Sequence, residues 1–230
     1  MRKGIIYYTH NQLGEPIFSI VQKQLKKSWL PIVSCSLRPI KLGENRVLTG
    51  IPGVVTMTKQ ILTALEVSTC EQVFFCEHDV LVPVSHFDFD IPRKDTYYYN
   101  TNVWRWEYPN DKLITYNGLK SLSGMTCYRE LAVNHYRERM KLIQEKGLDN
   151  GRDPRWARVI GYEPGKTKSR GGFMEEKTDE FKSIEPMIDI RHEGTITKSK
   201  TTLSSFKHKP EGWKEIGLNE VKGWVFKDLI

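Results

Sequence analysis

Apolar residues recur along the first 83 positions in two alternating rhythms. GIIYY (residues 4–8), LPIVSCSL (30–37) and VFFCEHDVLVP (73–83) are short β-rich runs. Between them, Ile17, Ile20, Val21 and Leu25 in EPIFSIVQKQLKKSW, and the apolar positions of VVTMTKQILTALEVS, return at helical spacing. The polar turn Thr9-His10-Asn11 follows the first run, and the Gly/Pro-punctuated loop KLGENRVLTGIPG follows the second. Strand, helix, strand, helix, strand in this order predicts parallel strands joined by crossover helices, an α/β fold with a Rossmann-like sheet. Ligands of such sheets bind beyond the carboxyl ends of the strands. Thr9-His10-Asn11 and Glu77-His78-Asp79 both fall at such ends.

The second half is less regular. DTYYYNTNVWRWEYPNDKLITYNG predicts one or two aromatic antiparallel strands, with turns at Pro109-Asn110-Asp111 and Asn117-Gly118. SLSGMTCYRELAVNHYRERMKLIQEKG predicts a short strand and an amphipathic helix ended by Gly147. Residues 148–184 predict long loops and short helices, and PMIDIRHEG is the last strand. The implied organisation is a catalytic unit over residues 1–194, with a nucleotide-binding half (1–83) and an acceptor half (84–194). Residues 195–230 are a polar tail whose Trp213, Trp224 and Phe226 predict docking on the body.

With 39% hydrophobic and 27% charged residues, the chain has the balance of a folded globular domain and not of a disordered one. It lacks an apolar run of about 18 residues, the length a membrane span needs. The apolar run at Gly4 to Tyr8 is too short for a signal peptide. Cys35, Cys70, Cys76 and Cys127 are widely spaced, a pattern that predicts reduced, buried thiols and a cytoplasmic location.

The net charge of +7 favours polyanionic partners: sugar nucleotide, nucleic acid or anionic membrane. Basic residues gather at Arg129, Arg137, Arg139 and Lys141, and at Lys166, Lys168, Arg170, Lys198, Lys200, Lys207 and Lys209. There is no GxGxxG after the first strand and no GxxxxGK[ST], so the phosphate cradles of dinucleotide-binding Rossmann enzymes and P-loop nucleotidases are missing.

The chemistry concentrates in VFFCEHDVLVP, where Glu77, His78 and Asp79 interrupt apolar sequence. Unpaired carboxylates in such surroundings are costly unless paired or bound to metal. On a continuing strand the side chains of Glu77 and Asp79 would share one face, with His78 on the other. Mn²⁺ or Mg²⁺ accepts such sparse protein ligation, because substrate phosphates and water complete the coordination.

FFCEHDVLVP resembles the acidic D-x-D motif of GT-A glycosyltransferases, in which the last acid binds a divalent metal bridging the diphosphate of a nucleotide sugar. SLSGMTCYREL is similar to the acceptor-side strand and helix of that family, and MIDIRHEG to its late strand ending in a metal-binding histidine. The resemblance covers roughly residues 4–195 in the family's order and implies a GT-A mixed sheet flanked by helices. It implies Asp79 as the main metal ligand, Glu77 as a ligand or a partner acting through water, and His192 as the third ligand. The first acid here is Glu and the middle residue His, which departs from the family pattern.

Thr9, His10 and Asn11, Arg38, Lys59 and His78 are the candidates to line the nucleotide, His78 also being a candidate for packing alone. An inverting transferase needs a general base near the acceptor hydroxyl. The candidates are Glu163 in GYEPG, and Glu175 and Glu176 in GGFMEEKTDEF. Tyr97, Tyr99, Asn102, Trp104 and Trp106 could form an acceptor platform, with Trp104 and Trp106 expected to be exposed. The implied activity is a metal-dependent hexosyltransferase taking a nucleotide-sugar donor, a UDP-sugar favoured, and a glycan or modified nucleic acid as acceptor. A metal-dependent nucleotidyltransferase and a non-catalytic nucleic-acid-binding protein are the alternatives.

Overall fold

A computed structural model describes residues 1–150, 163–165, 176–193 and 200–228 of the chain. The predicted alternation appears as β1 (Lys3–Thr9), α1 (Ile17–Lys26), β2 (Ile32–Ser36), β3 (Glu44–Val47), α2 (Val54–Val67) and β4 (Gln72–Glu77). Then come β5 (Val80–Leu81), β6 (Thr96–Asn100), β7 (Val103–Glu107), β8 (Leu113–Thr115), β9 (Met125–Tyr128) and α3 (Arg129–Glu145). The last strands are β10 (Lys177–Phe181), β11 (Met187–Arg191) and β12 (Lys214–Ile216).

Seven strands form the main sheet in the order β10-β6-β9-β4-β1-β2-β3. β1 to β4 are parallel where they pair, and β9 runs antiparallel between β4 and β6. The fold is therefore α/β with a mixed sheet flanked by helices. Its central strands read as continuous apolar runs because both faces are covered. Ile5, Tyr7, Phe74 and Cys76 enter the core on the α1 side, while Ile6, Tyr8, Val73 and Phe75 pack on the α2 and α3 side.

Helix α1 buries Ile17, Val21 and Leu25, the spacing that marked it in the sequence. Gly147, at φ 58°, closes the turn after α3, where Leu148 N–H donates to the Ile143 carbonyl. All four cysteines are free and buried. Among the described residues no helix is long and apolar enough to cross a membrane.

Three features differ from the sequence expectation. Residues 148–184, expected as loops and short helices, contain edge strand β10, which pairs parallel with β6 in the main sheet. The loop after β2 contains edge strand β3, held by Asn45, whose Nδ2 donates to Ser34 Oγ and Ser36 Oγ at 2.9 Å each. Its polar, exposed residues carry no strand periodicity. The aromatic stretch also divides between two sheets. β6 stays in the main sheet, while β7 enters a second sheet ordered β12-β8-β7-β11-β5. The corner is fixed by Asn100, whose Oδ1 accepts from Asn102 N–H at 2.9 Å and whose Nδ2 donates to Ser183 Oγ at 2.7 Å. Within residues 200–228, Trp224 Nε1 donates to the Pro186 carbonyl at 2.7 Å, and Phe226 packs on Trp106 at 5.3 Å.

Candidate metal centre

The site forms where the two sheets meet. β4 ends at Glu77, a turn carries His78 and Asp79, and the chain then enters β5 of the second sheet. β11 pairs antiparallel with β5, Asp189 opposite Val80, and Ile190 N–H donates to the Asp79 carbonyl at 2.9 Å. This pairing brings His192, one residue past β11, to the turn. Two buried amides secure the surrounding strand ends: Gln60 Nε2 donates to the Thr9 carbonyl at 2.8 Å and Gln24 Nε2 to the Val82 carbonyl at 3.1 Å.

His78, Asp79 and His192 each offer a ligand atom within 4.8 Å of the others. Among the described residues no other set of histidine, cysteine or acidic side chains converges in this way. His192 Nε2 lies 3.7 Å from Asp79 Oδ2, and the two side chains are 13% and 15% exposed. Two imidazoles and a carboxylate suit a borderline divalent ion.

The local chemistry fits as well. His78 Nδ1 is buried and has no hydrogen-bond partner, an arrangement that a bound cation would relieve. Burial holds the His78 imidazole below its usual pKa despite the Asp79 charge, so it is neutral and able to donate a lone pair. Burial disfavours charge on Asp79 too, but His192, His78 and Arg191 together hold it below the usual carboxylate range. His10 stands on the rim, its ring 4.7 Å from that of His78 in edge contact, with its pKa lowered by burial and then by His78.

Glu77 is placed differently from the sequence expectation. Because β4 stops at Glu77, the period-two geometry that would have put it on one face with Asp79 does not extend that far. Its Oε2 accepts from Ser123 Oγ at 2.6 Å, and it lies outside the three-residue group. Burial, then the Asp79 charge, pushes the Glu77 carboxyl up to about 7.

Arg191 and Ser123 are partners that the sequence reading missed. Arg191 Nη2 donates to Asp189 Oδ2 at 2.5 Å, and Arg105 Nε donates to the same oxygen at 3.1 Å. The Arg191 guanidinium also feels the Asp79 and Glu77 charges. MIDIRHEG carried the relevant signal, since an acid and a base at alternate positions of a strand share one face.

The remaining candidates differ in burial and in the contacts they make. Thr9 is buried, and its Oγ1 accepts from Asn11 N–H at 3.0 Å. Asn11, at φ 60°, ties the ends of β1 and β2 together: its Oδ1 accepts from the Leu37 and Arg38 N–H groups at 2.8 and 2.9 Å. Arg38 and Lys59 are exposed. Trp106 is 2% exposed, contrary to expectation, because its face of β7 packs into the core; Trp104 is partly buried, and Tyr97 and Tyr99 are fully buried. Arg139 is 1% exposed and Arg137 pairs with Glu66, so α3 presents less free positive charge than its sequence suggests.

No protein-family model matches the chain, and no curated protein is significantly similar to it. Solved structures with a similar chain path include the bifunctional IspDF from Campylobacter jejuni, with a TM-score of 0.42 and 11% identity. That match covers 80% of this chain, which spans only about half (50%) of the IspDF length. The 2-C-methyl-D-erythritol 4-phosphate cytidylyltransferase from Thermus thermophilus has a TM-score of 0.48 and 11% identity, covering 84% of this chain and 94% of its own. A glycosyltransferase involved in glycosylation of the major capsid of PBCV-1 has a TM-score of 0.42 and 10% identity, covering 78% and 81%. Similarity at this level carries no argument for substrate or activity, which must come from the side chains.

Of the candidate bases, Glu175 lies outside the described residues, as do Lys166, Lys168, Arg170 and Lys198. Glu163 is partly buried in a turn whose Pro164 carbonyl accepts from Tyr99 OH at 2.6 Å. Glu176 is occupied. Its Oε1 meets His135 Nδ1 at 2.5 Å and accepts from Tyr97 OH at 3.0 Å, while its Oε2 accepts from Gly165 N–H at 2.7 Å. Burial opposes its charge, but His135 and these donors hold its pKa below the usual range. A carboxylate whose oxygens already meet His135, Tyr97 and Gly165 is less available to take a proton from an acceptor.

Proposed function

We propose that the chain is a divalent-metal-dependent glycosyltransferase of GT-A type, moving a hexose from a nucleotide-diphosphate sugar, preferably a UDP-sugar, to an acceptor hydroxyl. The observation that carries this reading is the convergence of His78, Asp79 and His192 beyond the carboxyl end of a central parallel strand, where such sheets bind their ligands. His78, Asp79 and His192 would hold the ion, with Mn²⁺ preferred over Mg²⁺ because two of the three donors are imidazoles. A bound cation there would offset the charge developing on the leaving diphosphate.

The chain's own groups do the rest. Arg191, aligned by Asp189 and close enough to act on the Asp79 charge, is the fixed cation proposed for diphosphate oxygens. His10, Arg38 and Lys59 line the nucleotide side, and the backbone around Thr9 and Asn11 shapes its floor. Glu163 is the preferred base for an inverting transfer, since Glu176 is engaged in the His135 contact. Glu77 is a neutral or shared-proton neighbour of Asp79 rather than a direct ligand. The acceptor is a glycan or a modified nucleic acid.

The test is calorimetric titration of UDP and GDP, with and without Mn²⁺, into the wild type and Asp79→Ala. The reading requires nucleotide binding that depends on both metal and Asp79. Analysis of products from a nucleotide sugar then separates sugar transfer, which frees the nucleoside diphosphate, from nucleotidyl transfer, which frees pyrophosphate. Failure of both nucleotides to bind in Mn²⁺ would end the proposal.

A further inference from the structure

The end of the sheet opposite the metal centre carries an exposed aromatic side chain that the transferase reading does not use. Trp29 is 92% exposed, in the short connection from α1 to β2. Its backbone is left-handed, at φ 58°. Just past a helix end that conformation is usually left to glycine, which lacks the steric penalty of a side chain. A tryptophan here combines an unfavourable backbone with a large apolar surface left in water, two costs without any return inside the fold.

The turn that presents it is well defined. Lys27 N–H donates to the Gln24 carbonyl, Ser28 N–H to Leu25 and Trp29 N–H to Lys26, at 3.1, 3.1 and 3.3 Å. Ser28 Oγ donates to the Leu25 carbonyl at 2.8 Å and accepts from Leu30 N–H at 3.3 Å. Beyond it, Ile5 N–H donates to the Pro31 carbonyl at 2.9 Å, which pins the connection to β1.

Charge identifies the partner. Lys23, Lys26 and Lys27 are exposed on the last turns of α1 beside Trp29. Residues 16–43 contain five basic residues, Lys23, Lys26, Lys27, Arg38 and Lys41, and no acidic one. An indole ring prefers the boundary between headgroups and acyl chains, and lysines extend to the anionic headgroups around it. We propose that Trp29 and these three lysines dock the protein on an anionic lipid surface.

The orientation follows from the topology. Trp29 precedes the amino end of β2, whereas the metal centre lies beyond the carboxyl ends of β1 and β4. The strand rise of about 3.3 Å per residue separates them by on the order of 20 Å. Docking therefore leaves the mouth open to a soluble donor.

The test is co-sedimentation of the full chain with vesicles of phosphatidylcholine alone and of phosphatidylcholine mixed with phosphatidylserine. Wild type should pellet with the mixed vesicles only, and less so in 1 M salt, where the Debye length is about 3 Å. Trp29→Ala should lower the partition about tenfold. Changing Lys23, Lys26 and Lys27 to Gln together should lower it about 100-fold, at roughly fivefold per lysine. Unchanged thermal midpoints in these variants would show that folding is intact. Equal binding to both vesicle types, no binding to either, or Trp29→Ala pelleting like wild type would overturn the proposal. So would duplex DNA binding, or a self-associated dimer, that needs Trp29 when vesicle binding does not.

Discussion

Two histidine–carboxylate clusters flank the main sheet, and they differ in what their ring nitrogens do. At His135 both nitrogens are used: Nδ1 meets Glu176 Oε1 at 2.5 Å, and Nε2 accepts from Arg139 Nε at 3.1 Å. At the mouth, His78 keeps a buried Nδ1 without a hydrogen-bond partner, and His192 Nε2 lies 3.7 Å from Asp79 Oδ2. Similar residue types therefore build two different objects. The first is a closed clamp that ties the turn at Pro164-Gly165 and the start of β10 to α3 and β6. The second has ligand atoms near one another and one buried ring nitrogen, His78 Nδ1, left open. Satisfied polar groups stabilise a fold, whereas buried groups left open mark a place where a ligand completes the structure.

The comparison breaks most readily at the mouth. His192→Ala should weaken Mn²⁺-supported UDP binding by more than about 100-fold, since losing even a group that only orients a ligand costs 10–100-fold. Calorimetry would read this, and an unchanged affinity would remove His192 from the site. At the clamp the effect should fall on stability instead. Glu176→Ala strips partners from His135, Tyr97 and Gly165 and should cost about 2 kcal/mol in urea unfolding, with Mn²⁺ affinity unchanged.

A smaller effect is expected one step from the metal. Arg191→Lys keeps the charge but loses the planar fork that Asp189 aligns, and should weaken nucleotide binding about tenfold while leaving Mn²⁺ binding intact. The smallest effect is set by pH. Glu77 has its pKa raised from 4.5 to about 7 on folding, so its neutral form favours the native state fully below 4.5, and that contribution is lost progressively as pH rises from there through about 7. Glu77→Gln should therefore stabilise the metal-free protein by about 1 kcal/mol or more at pH 8 and leave it unchanged at pH 4. His135 has the opposite sign. Burial lowers its pKa to about 4, so the stability tied to its neutral ring is complete above 6.5 and lost as pH falls towards 4.

Much of this was legible in the residues. The alternation of apolar runs with helical spacing located β1, α1, β2, α2 and β4, because each of these elements buries a regular face. The apolar flanks of Glu77-His78-Asp79 marked a charged group at a strand end. Which of the three side chains would converge was not legible, because that depends on β4 stopping at Glu77 and on β5 crossing to another sheet to pair with β11. Neither event leaves a local pattern in FFCEHDVLVP. Trp106 misled for a related reason: alternation along VWRW gives two faces, but only the second sheet decides which one meets the core. Glu176 lies 41 residues from His135, and no spacing rule connects them.

The most direct test of the contrast between the clusters is Mn²⁺ binding followed by electron paramagnetic resonance in wild type, His78→Ala and His135→Ala. A poised mouth and a closed clamp predict a single bound ion in wild type, none in His78→Ala, and wild-type binding in folded His135→Ala despite a lowered unfolding midpoint. Full Mn²⁺ binding by His78→Ala, or none by the wild type, would contradict the account.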